Sequence, residues 1–180
     1  CFPILKKNKK TLMIIPLGSN HIKSYPIREM AKILNFIGEK GDYNFIFNYM
    51  EFQKDKVDRL FKLIKNSTKN NISTFVPKSL NNFINICNHC DAVIGNEGGA
   101  IHMAKGLNKA TFAIFSPMVD LKGWHVDNSL KQFAVHYSDY SNDFLKNENK
   151  KLSKVQNSEY YKKFKFSLFK KKLDLFLDLL

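Results

Sequence analysis

The stretch Cys90-Asp-Ala-Val-Ile-Gly-Asn-Glu-Gly-Gly-Ala-Ile-His-Met-Ala-Lys105 contains the residue types that hold an anion without a metal. Gly98 and Gly99 let the backbone approach a ligand closely. A helix opening directly behind them would aim unsatisfied N–H groups and the positive end of its dipole at the same spot. Glu97 and His102 flank the turn, so a carboxylate and an imidazole stand beside the expected phosphate or pyrophosphate. A second stretch, Pro16-Leu-Gly-Ser-Asn-His-Ile-Lys-Ser-Tyr-Pro26, offers the Gly18 backbone, the Ser19 hydroxyl and Lys23, whose ammonium is a mobile point charge for a phosphate. It lacks the glycine–lysine–serine order of a Walker loop. Taken singly, Lys23 also reads as a solvated loop lysine, and His102 as a histidine packed on a first helical turn.

These residues need elements to bring them together. Apolar, β-rich runs predict strands at Thr11–Ile15, Asn44–Asn48, Ser73–Val76, Ala92–Ile94, Thr111–Phe115 and Phe133–His136. Between most of them lie helical patterns. Pro26–Lys40 starts on a proline suited to a first turn, Gln53–Lys65 spaces Val57, Leu60, Phe61 and Ile64 helically, and Ser79 caps a helix carrying Phe83 and Cys87. Gly99–Leu107 is the helix behind the glycine turn. Regular alternation of this kind predicts an α/β fold, a Rossmann-like parallel sheet with helices on both faces. Ligands of such sheets bind beyond the carboxyl ends of the strands, where both stretches would meet. Segments 116–130 and 137–158 read as loops, and residues from about 158 to 180 as one closing amphipathic helix.

Length and composition set the outer limits. The chain has 180 residues, 44% hydrophobic and 25% charged, which suits one soluble globular domain. No run reaches the roughly 18 apolar residues of a spanning helix. The first residues do not form a signal peptide, and opening on Cys1 suggests a piece of something longer. Three cysteines point to a reducing compartment. Cys87 and Cys90 flank His89 in a Cys-x-x-Cys, but with no second ligand pair they are expected to be buried thiols; no metal site is expected. Asn66-Ser67-Thr68 and Asn71-Ile72-Ser73 match glycosylation acceptors and read more simply as surface loop.

The net charge is +13, and ten lysines fall between Lys146 and Lys172, among Tyr160, Tyr161, Phe164, Phe166 and Phe169. Such a tail suits a solvated helix face, an anionic membrane surface or base-stacking nucleic-acid contacts, with the solvated face favoured. Nucleic acid is the least favoured partner, because it leaves the glycine–histidine turn unexplained.

Together, Pro-x-Gly-Ser-x-x-x-Lys-x-Tyr-Pro, Cys-Asp-x-x-Ile-Gly-Asn-Glu-Gly-Gly-Ala-x-His-x-Ala-x-x-Leu and Ile-Phe-Ser-Pro resemble glycosyltransferase family 9, the ADP-heptose:lipopolysaccharide heptosyltransferases and their relatives, over about Thr11 to Pro117. The resemblance implies the C-terminal, donor-binding half of a GT-B enzyme, inverting and metal-independent, cytoplasmic or peripheral on the inner face of a bacterial inner membrane. It needs no cofactor, because the nucleotide sugar, ADP-heptose by analogy, is a substrate. A glycan or lipid-linked acceptor and the catalytic base would belong to an N-terminal domain that this chain lacks. By the same resemblance Gly18, Ser19, Lys23, Gly98, Gly99, Ala100 and His102 would hold the donor diphosphate. Asn96, Glu97, Glu51, Gln53, Pro77 and Lys78 would border the sugar and nucleoside. The chain departs from the family pattern with Glu97 for aspartate, Gly98 for threonine or serine, and Tyr25 for tryptophan. A binding-only nucleotide-sugar domain is the alternative from another class.

Overall fold

The computed structural model describes residues 8–120, 131–145 and 152–180. Cys1, the tail lysines Lys146, Lys150 and Lys151, and residues 121–130 of the segment read as a loop lie outside the described residues.

Five strands form one sheet: β1 (Lys10–Ile15), β2 (Tyr43–Phe47), β3 (Ala92–Asn96), β4 (Ala110–Ile114) and β5 (Gln132–Val135). All pairings are parallel, in the order β2-β1-β3-β4-β5. Leu12 pairs with Phe45 on one side and Ala92 on the other, and Ile94 pairs with Phe112. The inner strands are almost wholly buried and read as unbroken apolar runs, as strands covered on both faces do. Successive side chains point to opposite faces and divide the core in two. Leu12, Ile14, Phe45, Phe47, Ile94 and Phe112 face one layer; Met13, Ile15, Ile46, Val93, Ala113 and Phe115 face the other.

Helices α1 (Ile27–Lys40) and α2 (Lys54–Leu63) cover the first face, through Met30, Ile33, Leu34 and Ile37 of α1 and Val57 and Leu60 of α2. A short helix, α3 (Asn66–Lys69), follows. The second face is covered by α4 (Leu80–Asn88) and α5 (Gly99–Gly106), through Phe83, Ile86, Ile101 and Ala104. Ser79 Oγ caps α4 by accepting the Asn82 N–H at 3.2 Å. Cys87 and Cys90 are buried free thiols, and burial pushes Cys90 up to about 12. Pro26 is the N-cap of α1, and its carbonyl accepts from Glu29 and Met30.

Two expectations are corrected. Ser73–Val76 forms no strand; only Ile72 bridges Phe45, with Phe45 N donating to Asn71 O and Ser73 N to Phe45 O. Ser73 Oγ then accepts the Phe75 N–H at 3.1 Å, a local turn that bends the chain off the edge before Pro77, which has no N–H to offer a ladder. The bridge still covers the outer edge of β2.

The second correction concerns the C-terminal region. Segment 137–158 holds a 3₁₀ turn at Tyr137–Tyr140 and a short helix, α6 (Asn142–Leu145). The closing helix is two helices, α7 (Lys154–Lys163) and α8 (Phe166–Asp178). Ser153 and Gln156 form a capping box that starts α7 earlier than the apolar spacing indicates. The break falls where Phe164, fully buried, turns into the core against Tyr25 and Phe169 at ring separations of 5.6 and 5.2 Å. Phe166, Phe169, Leu173, Phe176 and Leu177 of α8 pack on the first face. The tail aromatics Tyr161, Phe164, Phe166 and Phe169 are therefore core residues, not platforms for bases. Among the described residues no helix is long and apolar enough to cross a membrane.

Candidate functional site

The strand order reverses between β1 and β3: the chain leaves β1 toward β2 on one side and returns to build β3, β4 and β5 on the other. The loops leaving the carboxyl ends of β1 and β3 diverge at that point, and a crevice opens between them. A cavity of about 500 Å³ lies there. Gly18, Ser19, Gln53, Pro77, Lys78, Asn96, Glu97, Gly98, Gly99 and Ala100, all named from sequence, line it. Glu51, Lys23 and His102 are not among its lining residues.

The polar end of the cavity is the start of α5. Gly98 is the N-cap with φ of +155°, a mirror-image extended conformation that only glycine adopts readily. Gly99 is exposed, so the first amides of the helix face open space. Beside this tip Glu97 is 92% buried (8% exposed), and among the described residues its Oε2 has no hydrogen-bond partner. Its Oε1 lies 3.5 Å from Nε2 of the half-buried His102, one turn into α5. A buried carboxylate oxygen with no donor is costly, so this one calls for a ligand hydroxyl or N–H.

The apolar end consists of Leu17, Phe83, Met103 and the buried Pro77, and Met50, Phe52 and Leu80 form an exposed rim. Phe52 is 77% exposed in the 3₁₀ turn Glu51–Gln53. Neither Phe52 nor the Leu80 rim was singled out from the sequence. The signal was present in an apolar residue at a strand exit, but its neighbours across the cavity are 28 positions away.

Two residues named as ligand contacts also hold the walls together. Asn96 is fully buried; its Nδ2 donates to Ile15 O at 3.0 Å, and its Oδ1 accepts the Tyr25 N–H at 2.6 Å. It therefore brackets the two diverging loops. Gln53 Nε2 donates to Gly18 O at 2.8 Å, and its Oε1 accepts from Met50 N at 3.0 Å. The β1 loop is folded tightly on itself. A methyl group added at Gly18 would stand 2.4 Å from the Lys23 carbonyl oxygen, so this close approach admits only glycine. Asn20 Oδ1 accepts from Ile22 N and Lys23 N, and Ser24 Oγ accepts from Gly18 N. Among the described residues no three His, Cys, Asp or Glu side chains are grouped to hold a metal ion.

A parallel sheet covered on both faces, with a glycine turn and an open helix tip at its switch point, defines an α/β domain with a cavity where the strand order reverses. The model of glycosyltransferase family 9 (heptosyltransferase) matches residues 2–154, and the chain belongs to that family. Its fold is similar to that of three solved structures. E. coli ADP-heptose LPS heptosyltransferase II is 14% identical, with a TM-score of 0.61 over 73% of this chain and 39% of that one. The family 9 glycosyltransferase of Veillonella parvula is 15% identical, with a TM-score of 0.60 over 83% and 41%. E. coli heptosyltransferase WaaC with ADP is 13% identical, with a TM-score of 0.58 over 73% and 39%. The chain thus spans about two-fifths of the length of the structures it matches. Comparison with curated protein sequences returns no match.

Proposed function

We propose that this chain is the donor-binding half of a glycosyltransferase, taking a nucleoside diphosphate sugar in the cavity between the β1 and β3 exits. One observation carries the reading: a single cavity joins the open tip of α5 and the buried, unpartnered Glu97 Oε2 to an apolar flank. A diphosphate suits the first end, a sugar hydroxyl suits Glu97, and a nucleoside suits the flank. ADP-heptose is the proposed donor, supported by family membership and by a structural neighbour that carries ADP.

As the sugar leaves, negative charge gathers on the diphosphate. The amides at Gly98, Gly99 and Ala100 are oriented before the reaction, so they stabilise that charge without reorganising. Lys23 adds a cation from the loop, and His102 donates a hydrogen bond. Glu97 does not touch the phosphates, because two anions would repel; it accepts from the sugar. No metal or cofactor is needed in this scheme. The base that deprotonates the acceptor, a lipopolysaccharide-type or other lipid-linked glycan, belongs to a domain outside this chain. The chain alone is expected to bind nucleotide and to transfer little or no sugar. A cytoplasmic location, with peripheral contact on the inner face of a membrane, fits an acceptor of that kind.

The test is a titration of the purified chain with ADP, ADP-heptose, UDP-sugars and single-stranded DNA. Saturable binding of ADP and ADP-heptose is expected, weakened by Lys23→Ala and by His102→Ala with the thermal midpoint unchanged. Salt-sensitive DNA binding without nucleotide binding would end the proposal.

A further inference from the structure

The loop that carries Gly18, Ser19 and Lys23 is held from behind by helix α7. Tyr161 Oη donates to Lys23 O at 3.1 Å, and Asn157 Nδ2 donates to Ile22 O at 2.8 Å. Asn157 Oδ1 in turn accepts from Ser116 Oγ at 3.1 Å, which fixes the amide against the exit of β4. Asn157 is 1% and Tyr161 5% exposed, so the α7 side of these part-buried bonds is fixed in the core. Burial raises the Tyr161 phenol far above its ordinary range, and the O–H remains a donor at any working pH.

The carbonyl that Tyr161 holds is the one pressed against Gly18, a wall residue of the cavity. Gln53 grips the Gly18 carbonyl from the other side, and Ser24 Oγ accepts its N–H. A direct mechanical path therefore runs from α7 through the Lys23 peptide to the cavity wall. Asn157 and Tyr161 also lie beyond residue 154, where the family match ends.

We propose that Tyr161 and Asn157 are positioning residues of the donor site, setting the conformation of the loop that presents Ser19 and Lys23 to the diphosphate. This rests on the donor-site reading above. Neither side chain touches the ligand. Tyr161→Phe keeps the ring contact with Tyr25, at 6.0 Å between centroids, and removes only the hydroxyl.

The experiment pairs hydrogen–deuterium exchange with titration of the 180-residue chain by ADP and by adenosine. In Tyr161→Phe, amides of residues 18–24 are expected to exchange faster while those of α1 are unchanged. The dissociation constant for ADP should rise about three- to ten-fold, in line with one lost hydrogen bond. Adenosine, which lacks the diphosphate, should shift less than about two-fold by the same arithmetic. In a Lys23→Ala background the added substitution should weaken ADP less than it does alone, the mark of coupling. Asn157→Ala should give the same loss of selectivity.

Unchanged exchange over 18–24 overturns the anchoring. Faster exchange with ADP affinity unaltered overturns its link to binding. Equal losses for ADP and adenosine make Tyr161 an ordinary packing residue and overturn it too. A wild-type chain that binds no ADP at all overturns the donor-site reading instead, and exchange still decides whether α7 anchors the loop.

Discussion

Gly98 concentrates the residue-scale argument. Its φ of +155° belongs to a region that residues with a Cβ avoid, although among the described residues, its chain neighbours aside, no atom stands within 4 Å of where a Cβ would lie. The chain has room for the hydroxyl residue of the family pattern but holds a backbone conformation unsuited to it. Gly98→Ser is therefore expected to destabilise the fold by about 1–3 kcal/mol through strain, read as a lower denaturant midpoint with unchanged slope. An unaltered midpoint would mean that the turn relaxes freely. The glycine turn that forms the polar end of the cavity was legible in the sequence because its parts are contiguous from Asn96 to Ala100. The wall-holding bonds of Asn96 and Gln53 were not legible, for the opposite reason. A sequence shows an amide, but not which carbonyls and N–H groups two diverging loops leave open, and here Ile15 O, Tyr25 N, Gly18 O and Met50 N take up both side chains.

At the scale of elements, Glu29 joins the first helix to the last. It is buried in the first turn of α1, and its Oε2 accepts the Phe166 N–H at 2.9 Å. Phe166 opens α8, so a carboxylate from another helix caps it where Lys165, the local N-cap, offers no side-chain bond. Burial alone would raise the Glu29 carboxyl, but Lys32, the Phe166 N–H and Lys165 outweigh it and hold the group below its ordinary 4.5. A depressed folded value gives stability that is complete above about pH 4.5 and lost as the pH falls through the folded value. Glu29→Ala leaves the Phe166 N–H without its partner and is expected to cost about 1–3 kcal/mol near neutrality. Glu29→Gln should flatten the acid limb of the stability curve below pH 4.5, followed by urea unfolding at stepped pH. An acid limb as steep as the wild type's would mean that other carboxylates set it. The five strands of the sheet and the α1, α4 and α5 helices were legible because each carries its own period, whereas the run Ser73–Val76 carries a strand's composition without becoming one. The join at Phe164 was not, because the break is imposed by Tyr25, more than 130 positions earlier in the chain.

For the whole molecule, the net charge of +13 was legible from composition, but its use depends on which residues the fold exposes. Helix α8 buries one face on the sheet and turns another outward, where Leu168, Leu175 and Leu179 are 41%, 61% and 57% exposed. They recur at steps of seven and four, one stripe along the helix, with exposed Lys165 and Lys171 to either side of it, while Lys170 turns away over the Phe36 ring. Apolar residues flanked by lysines suit an anionic lipid surface, the place the proposed lipid-linked acceptor would occupy. Retention on vesicles containing phosphatidylserine is therefore expected at low salt, and loss of most of it at about 0.5 M salt, where screening is complete within a few ångströms. Leu175→Ser combined with Leu179→Ser should weaken retention even at low salt without lowering the thermal midpoint, because neither side chain packs in the core. Retention that ignores salt would remove the lysines from the interaction. Retention that ignores both leucines would reduce the stripe to a solvated face, leaving the lysines alone to hold the chain on the lipid surface.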